Sequence, residues 1–242
     1  MASRMTPHGA AISLLPCRAR APLGAALLGA GWLLVGCTIQ TYGSEPATPG
    51  ATATPPAQTS PAGTARPVAE QEQVALRTSV AASVSTTRGL VEVVGEALRD
   101  PGLGAEARRA YDQATPKAQA ARRALLSGEH RLAAAESDEA MRLLAPALTE
   151  LSAKTGLPEP LLKRLENLAD ASRREVEQAK QAVRATGRTA GLGDYDRAAG
   201  SFINAGDAAR AGEGGRSVRS IVNGREQLEH GIQARWPTLR AQ

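Results

Sequence analysis

Apolar residues recur every three or four positions over most of the chain after residue 68, which is the period of an amphipathic α-helix. The clearest example begins near Pro160 and places seven residues on one face: Leu161, Leu165, Leu168, Ser172, Val176, Ala179 and Val183. Charged residues such as Lys163 and Arg174 lie outside this stripe. The pattern predicts a helix that ends before Gly187 and buries one side.

The same period predicts five further helices, over residues 68–99, 106–113, 115–151, 194–210 and 217–235. The first stops before Pro101, and its many serine, threonine and glycine residues make it intrinsically weak as a helix. Thr115 and Pro116 supply a cap residue and a proline at the first helical position, so a new helix is expected to begin there. Gly128 and Pro146 are expected to interrupt that helix.

The composition indicates how such helices would pack. Aromatic residues make up 2% of the chain, with a single phenylalanine, so a core must be built from alanine, leucine and valine. Alanine is the best helix former, whereas strands favour β-branched and aromatic residues. Short connections containing glycine and proline favour antiparallel neighbours. The expected fold is all-α: an antiparallel helical bundle or an irregular helical array after a disordered N-terminal tether.

The first 36 residues do not follow this pattern. Arg18 and Arg20 precede an apolar run of about 15 residues that ends at Gly36, which is the order of regions in a secretory signal peptide. The run is shorter than the roughly 20 residues of a membrane-spanning helix. We therefore predict that residues 1–36 direct export and are then cleaved, with Met1 and Met5 both open as the start of the chain.

The apolar run ends in Leu34-Val35-Gly36-Cys37. This stretch resembles the lipobox of bacterial lipoproteins, in which aliphatic and small residues precede a cysteine. The resemblance implies cleavage between Gly36 and Cys37, with acyl chains then anchoring Cys37 to a membrane. Thr38, in place of an aspartate, implies sorting to the outer membrane, facing the periplasm, in an organism with two membranes. The alternative is an incidental cysteine in a retained anchor helix.

Only one other cysteine, Cys17, is present, and it lies in the segment predicted to be removed. Once Cys37 is acylated, the mature protein would have no free thiol. It would then have no disulfide, no thiolate metal site and no cysteine nucleophile.

Composition divides the rest of the chain into two parts. Residues 38–67 are rich in proline, threonine and alanine and cannot bury enough apolar surface to fold, so 37–67 is expected to be a lipidated cysteine followed by a disordered linker. Residues 68–242 are expected to form one helical domain.

Residues 1–36 hold three arginines and no acidic residue, so the remainder carries 26 basic and 24 acidic residues. A net charge of +2 argues against binding to nucleic acid.

One predicted helix has the spacing of a repeat motif. The residues are Gly193, Tyr195, Ala198, Phe202 and Ala205. They resemble the second helix of a tetratricopeptide repeat, which would imply a scaffold built from helix pairs. A looser match begins at Gly128, about 65 residues earlier, which is not twice the usual repeat length of about 34. An ordinary bundle is the alternative, because any amphipathic helix produces spacings of four and seven.

No residue pattern for catalysis, metal or cofactor binding stands out. His130 and His230 are far apart in sequence, and His230 lies four residues after Glu226, so that pair could share a helix face. A metal site needs three or four converging ligands. Paired arginines, such as those at 122–123 and 173–174, are interpreted as solvated faces, with contact to an anionic surface as the functional alternative.

These features predict a lipid-anchored cell-envelope lipoprotein with a non-enzymatic helical domain that acts as an adaptor or scaffold. Its expected partners are the membrane, through acyl chains on Cys37, and another protein of the envelope. The alternative is a periplasmic carrier or sensor of a small ligand, with a pocket inside the bundle. An enzyme has the least support.

Overall fold

A computed structural model describes residues 67–99 and 102–239, and this part of the chain is helical without strands. The six α-helices are α1 (Val68–Ala97), α2 (Ala105–Leu126), α3 (His130–Ser152), α4 (Glu159–Ala185), α5 (Leu192–Arg210) and α6 (Gly214–Arg235). A short 3-10 helix, Pro237–Leu239, follows α6. The predicted all-α fold is confirmed. The predicted signal peptide, lipobox and tether lie outside the described residues, apart from Pro67 at the end of the tether.

The predicted start of a helix at Pro116 is wrong, because α2 runs through Pro116 without a break. The predicted interruption at Pro146 is also wrong, because that proline lies inside α3. Both prolines are exposed, so the carbonyl oxygen that each leaves unpaired can be hydrated. The cost of about 3 kcal/mol for an interior proline is offset by the buried inner face on both sides of it. The break at Gly128 is confirmed, and its φ is 80°.

Contacts between neighbouring helices show that they run antiparallel. Between α2 and α3, Lys117 lies 3.0 Å from Glu136, and the backbone N–H of Gly104 donates to Glu150 over 2.7 Å. Residue numbers therefore rise along one helix as they fall along the other. The same relation holds between α4 and α5, between α5 and α6, and between α1 and α4. This confirms the prediction made from the short connections.

Helix α1 is at the centre of the bundle and forms hydrogen bonds to four of the other helices. Four hydroxyl groups on α1 are buried, and each pairs with a different helix. The pairs are Ser79 with Tyr195 of α5, Ser83 with Glu229 of α6, Thr86 with Ser172 of α4, and Thr87 with Ser137 of α3. The fifth helix, α2, contacts α1 with a buried face made of alanines and with the partly buried Tyr111, whose ring lies beside Gly95 of α1. The residues that weaken α1 as an isolated helix are therefore the ones that bind it to its neighbours.

The stripe predicted on α4 is confirmed. Six of its seven residues are buried, and the seventh, Leu168, is partly buried and packs against the core. Leu168 fits because its partner on α1 is Gly89: a Cβ atom there would lie 2.2 Å from a methyl carbon of Leu168. Close approach of helices through small residues thus replaces the large aromatic side chains that the chain lacks.

Two helical glycines should respond to alanine in opposite ways. A Cβ atom at Gly224 of α6 would lie 2.9 Å from the buried ring of Phe202, whereas one at Gly200 of α5 would meet nothing within 4 Å. We expect Gly200→Ala to raise the free energy of unfolding by about 0.5–1 kcal/mol, because alanine favours the helix. Gly224→Ala should lower it by about 1–2 kcal/mol, because overpacking outweighs that gain. Urea denaturation followed by circular dichroism measures both, and equal shifts in one direction would contradict the packing described.

Candidate functional site

A groove of about 530 Å³ opens between α3 and α6, and another of the same volume lies between α1 and α4. The first groove's lining residues on α3 recur once per helical turn, singly or as adjacent pairs, so they form one helix face: Asp138, Met141, Arg142, Ala145, Leu148, Thr149 and Ser152. The facing residues on α6 are Val218, Arg219, Val222, Asn223, Arg225 and Glu226. From Asp138 to Ser152 the groove follows α3 for about 21 Å, or four helical turns.

The groove has an apolar floor and a polar rim. Met141, Leu148 and Val218 are buried at its base, where they already belong to the core. Ala145 is exposed and small, so it leaves the middle of the groove open. Polar and charged side chains stand along both edges. An apolar floor between polar edges is the form of surface that accepts an amphipathic helix.

A buried arginine closes one end of the groove. Arg225 is 6% exposed, and its Nη2 atom donates to Asp138 over 2.6 Å and lies 3.4 Å from Glu229. Its Nε atom is buried and has no hydrogen-bond partner among the described residues. Glu229 in turn accepts a hydrogen bond from Ser83 of α1. The guanidinium group is therefore fixed between two carboxylates and connected to the central helix.

The other end of the groove lies where α6 begins. Arg219 donates to the backbone oxygen of Ser152 over 2.7 Å. A Cβ atom at Gly215 would lie 2.3 Å from that same oxygen, so only glycine permits α6 to approach the end of α3 this closely. These contacts hold the two helices together at the end opposite Arg225.

A second cavity, of about 300 Å³, lies at the end of the bundle where α1 stops and α4 starts. Its apolar lining includes Ala97, Leu103, Leu151, Leu157 and Leu161, and charged residues stand at its edge. The volume is at the lower limit of small-ligand pockets.

The repeat-like residues of α5 have a structural role in this bundle. Tyr195, Ala198, Phe202 and Ala205 are buried, and Gly193 is exposed. The rings of Phe202 and Tyr195 pack where α6 has glycines, so they hold α5 against α6. The resemblance to a tetratricopeptide repeat stays a prediction.

The two histidines do not form part of a ligand cluster. His130 is the first residue of α3, and partial burial, assisted by the charge of Arg77, lowers its pKa. His230 is exposed on α6. Among residues 67–99 and 102–239, no group of three or more potential metal ligands converges. Within those same ranges, no helix is both long and apolar enough to cross a bilayer.

Sequence reasoning missed Arg225 and the buried hydroxyl groups. The signal is that these polar residues occupy positions of the apolar period. On α6 the buried positions that follow this spacing are Val218, Ile221, Arg225, Leu228 and Ile232. A charged residue within such a series indicates a buried polar contact.

Burial raises the pKa of Tyr195 to about 12, and its hydrogen bond to Ser79 only partly opposes this shift. Below the ordinary pKa of 10, Tyr195 is protonated in both the folded and the unfolded state. Its contribution to the free energy of unfolding is therefore fully present there. Between pH 10 and about 12 only the unfolded state ionises, so we expect stability to fall by up to about 2–3 kcal/mol. Tyr195→Phe should cost about 1 kcal/mol near pH 7 and lose less stability over the alkaline range. Urea denaturation at each pH measures this, and parallel curves for the two proteins would refute it.

Comparison with family models, with curated proteins and with solved structures finds no match to this chain.

Proposed function

We propose that this protein is a lipid-anchored lipoprotein of the cell envelope whose helical domain is a non-enzymatic adaptor, and that the α3–α6 groove receives a helix of a protein partner. The observation that carries the proposal is the groove itself. It is four turns long, with an apolar floor, polar edges and a small residue, Ala145, at its centre.

The groove suits a helix better than it suits a compact small molecule. A partner helix would place residues at spacings of three, four and seven against Met141, Leu148 and Val222. The side chains at the edges would pair with the polar face of that helix. Because Arg225 and Arg219 are both held by contacts within the domain, the ends of the groove are set before a partner arrives. Such preorganisation reduces the entropy lost on binding.

The anchor is supported by the sequence preceding the domain. The stretch Leu34-Val35-Gly36-Cys37 follows an apolar run that is too short to span a bilayer. An acylated Cys37 would hold the domain at one membrane surface, where a weak binder gains effective concentration. An outer-membrane position, facing the periplasm, follows from Thr38 where the organism has two membranes.

Replacing the proposed acylated residue tests the anchor. In cells grown with labelled fatty acid, Cys37→Ala should abolish labelling and release the protein from the membrane fraction, because the only thiol acceptor at the cleavage site is gone. Cys17→Ala is the matched control and should change neither measurement. A Cys37→Ala protein that remains labelled would exclude this anchor.

Site-specific crosslinking tests the groove. A photoreactive amino acid that replaces Val222 should give one main crosslinked protein in intact cells, whereas the same group in place of the exposed Ile203 of α5 should not. Ala145→Trp should reduce this product at least about tenfold, because the indole ring would fill the middle of the groove. A loss of about 1.4 kcal/mol in binding free energy is enough for a tenfold effect. Gln119→Trp, at an exposed position of α2 outside the groove, is the control and should leave the product unchanged.

The second candidate function is the small-ligand carrier or sensor. The second cavity favours it, because four leucines line a space with charged residues at its edge. Native mass spectrometry of the purified protein distinguishes the two candidates. A bound small molecule, together with no specific crosslink from position 222, would favour the carrier.

A further inference from the structure

Large apolar side chains are exposed at one end of the bundle. Because adjacent helices run antiparallel, this end contains the starts of α1 and α3 and the end of α2. Among the described residues, four of the five most exposed large apolar side chains lie here: Val68, Val74, Leu126 and Leu132. Leu126 is 76% exposed and Leu132 is 46% exposed. Two large apolar side chains are therefore exposed within six residues of each other, one on each side of the turn between α2 and α3.

The two leucines flank the turn between α2 and α3, and this turn projects into solvent. Ser127, Gly128 and Glu129 are all exposed, and a Cβ atom at Gly128 would meet nothing within 4 Å. We name residues 122–132 the α2–α3 tip. Its leucines can reach a surface outside the molecule without any movement of the bundle.

Exposed arginines lie next to these leucines along the chain. Arg122, Arg123 and Arg131 belong to the α2–α3 tip, and Arg77 of α1 lies near it, beside the start of α3. None of the four forms an ion pair with a carboxylate among the described residues, and Glu129 is the one acidic residue of the tip. The tip therefore combines apolar side chains with positive charge that the fold does not neutralise.

We propose that the α2–α3 tip docks into the headgroup layer of an anionic lipid bilayer. Proteins that bind at a membrane interface insert apolar side chains at the boundary of the acyl chains and pair basic side chains with lipid phosphates. The leucines and arginines of the tip provide both kinds of contact. The chain outside the structure leads to the same end, because residue 67 precedes α1 directly. This contact is made by the folded domain itself and does not require the acyl chains on Cys37, so it goes beyond the proposed anchor.

A fluorescent amino acid that reports on its surroundings, placed at position 126, tests the contact. The full-length protein is mixed with vesicles of phosphatidylglycerol and phosphatidylcholine whose acyl chains carry bromine as a quencher. We expect a blue shift and quenching at position 126, and neither at position 203, where the exposed Ile203 lies on α5. Vesicles of phosphatidylcholine alone should give a much smaller change, and added salt should reduce the effect.

Charge reversal provides the matched comparison. Arg122→Glu with Arg123→Glu should abolish quenching at position 126. Arg173→Glu with Arg174→Glu, an exposed arginine pair on α4, should leave it intact. Circular dichroism of both variants serves as the check that they remain folded.

The same measurement on the Cys37→Ala protein separates this proposal from the acyl anchor. Quenching at position 126 in that protein, with vesicles in excess, supports docking by the α2–α3 tip whether or not Cys37 is acylated in cells. Equal signals at positions 126 and 203 would overturn the proposal, and so would quenching that ignores the reversal at 122 and 123. Crosslinking from position 126 to a protein or to a second copy of the chain, without quenching by lipid, would also overturn it.

Discussion

The arrangement of the bundle depends on the buried hydroxyl groups of α1. Burial of alanine, leucine and valine stabilises the bundle, but the hydrophobic effect has no direction and does not by itself pair particular groups. A buried hydroxyl group that loses its partner costs about 1–3 kcal/mol, so each pair permits one register. Ser79, Ser83, Thr86 and Thr87 together relate four helices to one axis. The polar contacts thus select the arrangement that the apolar contacts stabilise.

The groove between α3 and α6 depends on the same central helix. These two helices lie far apart in sequence, and both contact α1: α3 through Ser137 and α6 through Glu229. Arg225 then connects them, since it faces Asp138 of α3 and Glu229 of its own helix. A buried guanidinium is costly to desolvate, and the two carboxylates near its Nη2 atom offset part of that cost. The polar end of the groove is therefore part of the core as well as part of the surface.

The fold could be predicted from sequence where the pattern within a single helix is enough to define it. The stripe on α4 and the break at Gly128 follow from local patterns. The continuous α2 could not be predicted, because Pro116 is a strong local stop signal and only tertiary packing of the alanines on both sides overrides it. The groove could not be predicted either, because periodicity within α3 and α6 does not reveal that the two helices are neighbours.

The α2–α3 tip and the groove could be occupied at the same time, because they lie at different distances along α3. The groove begins at Asp138, eight residues beyond the start of α3, which is about 12 Å along the helix. A headgroup layer is roughly 5–8 Å thick on each side of a bilayer. With the tip in that layer, the groove would stand clear of the lipid and remain open from the side. An acyl chain on a long tether would restrain only the distance between the domain and the membrane. A second contact at the tip would also fix the orientation of the domain. The domain would then present its groove at a defined height above the membrane.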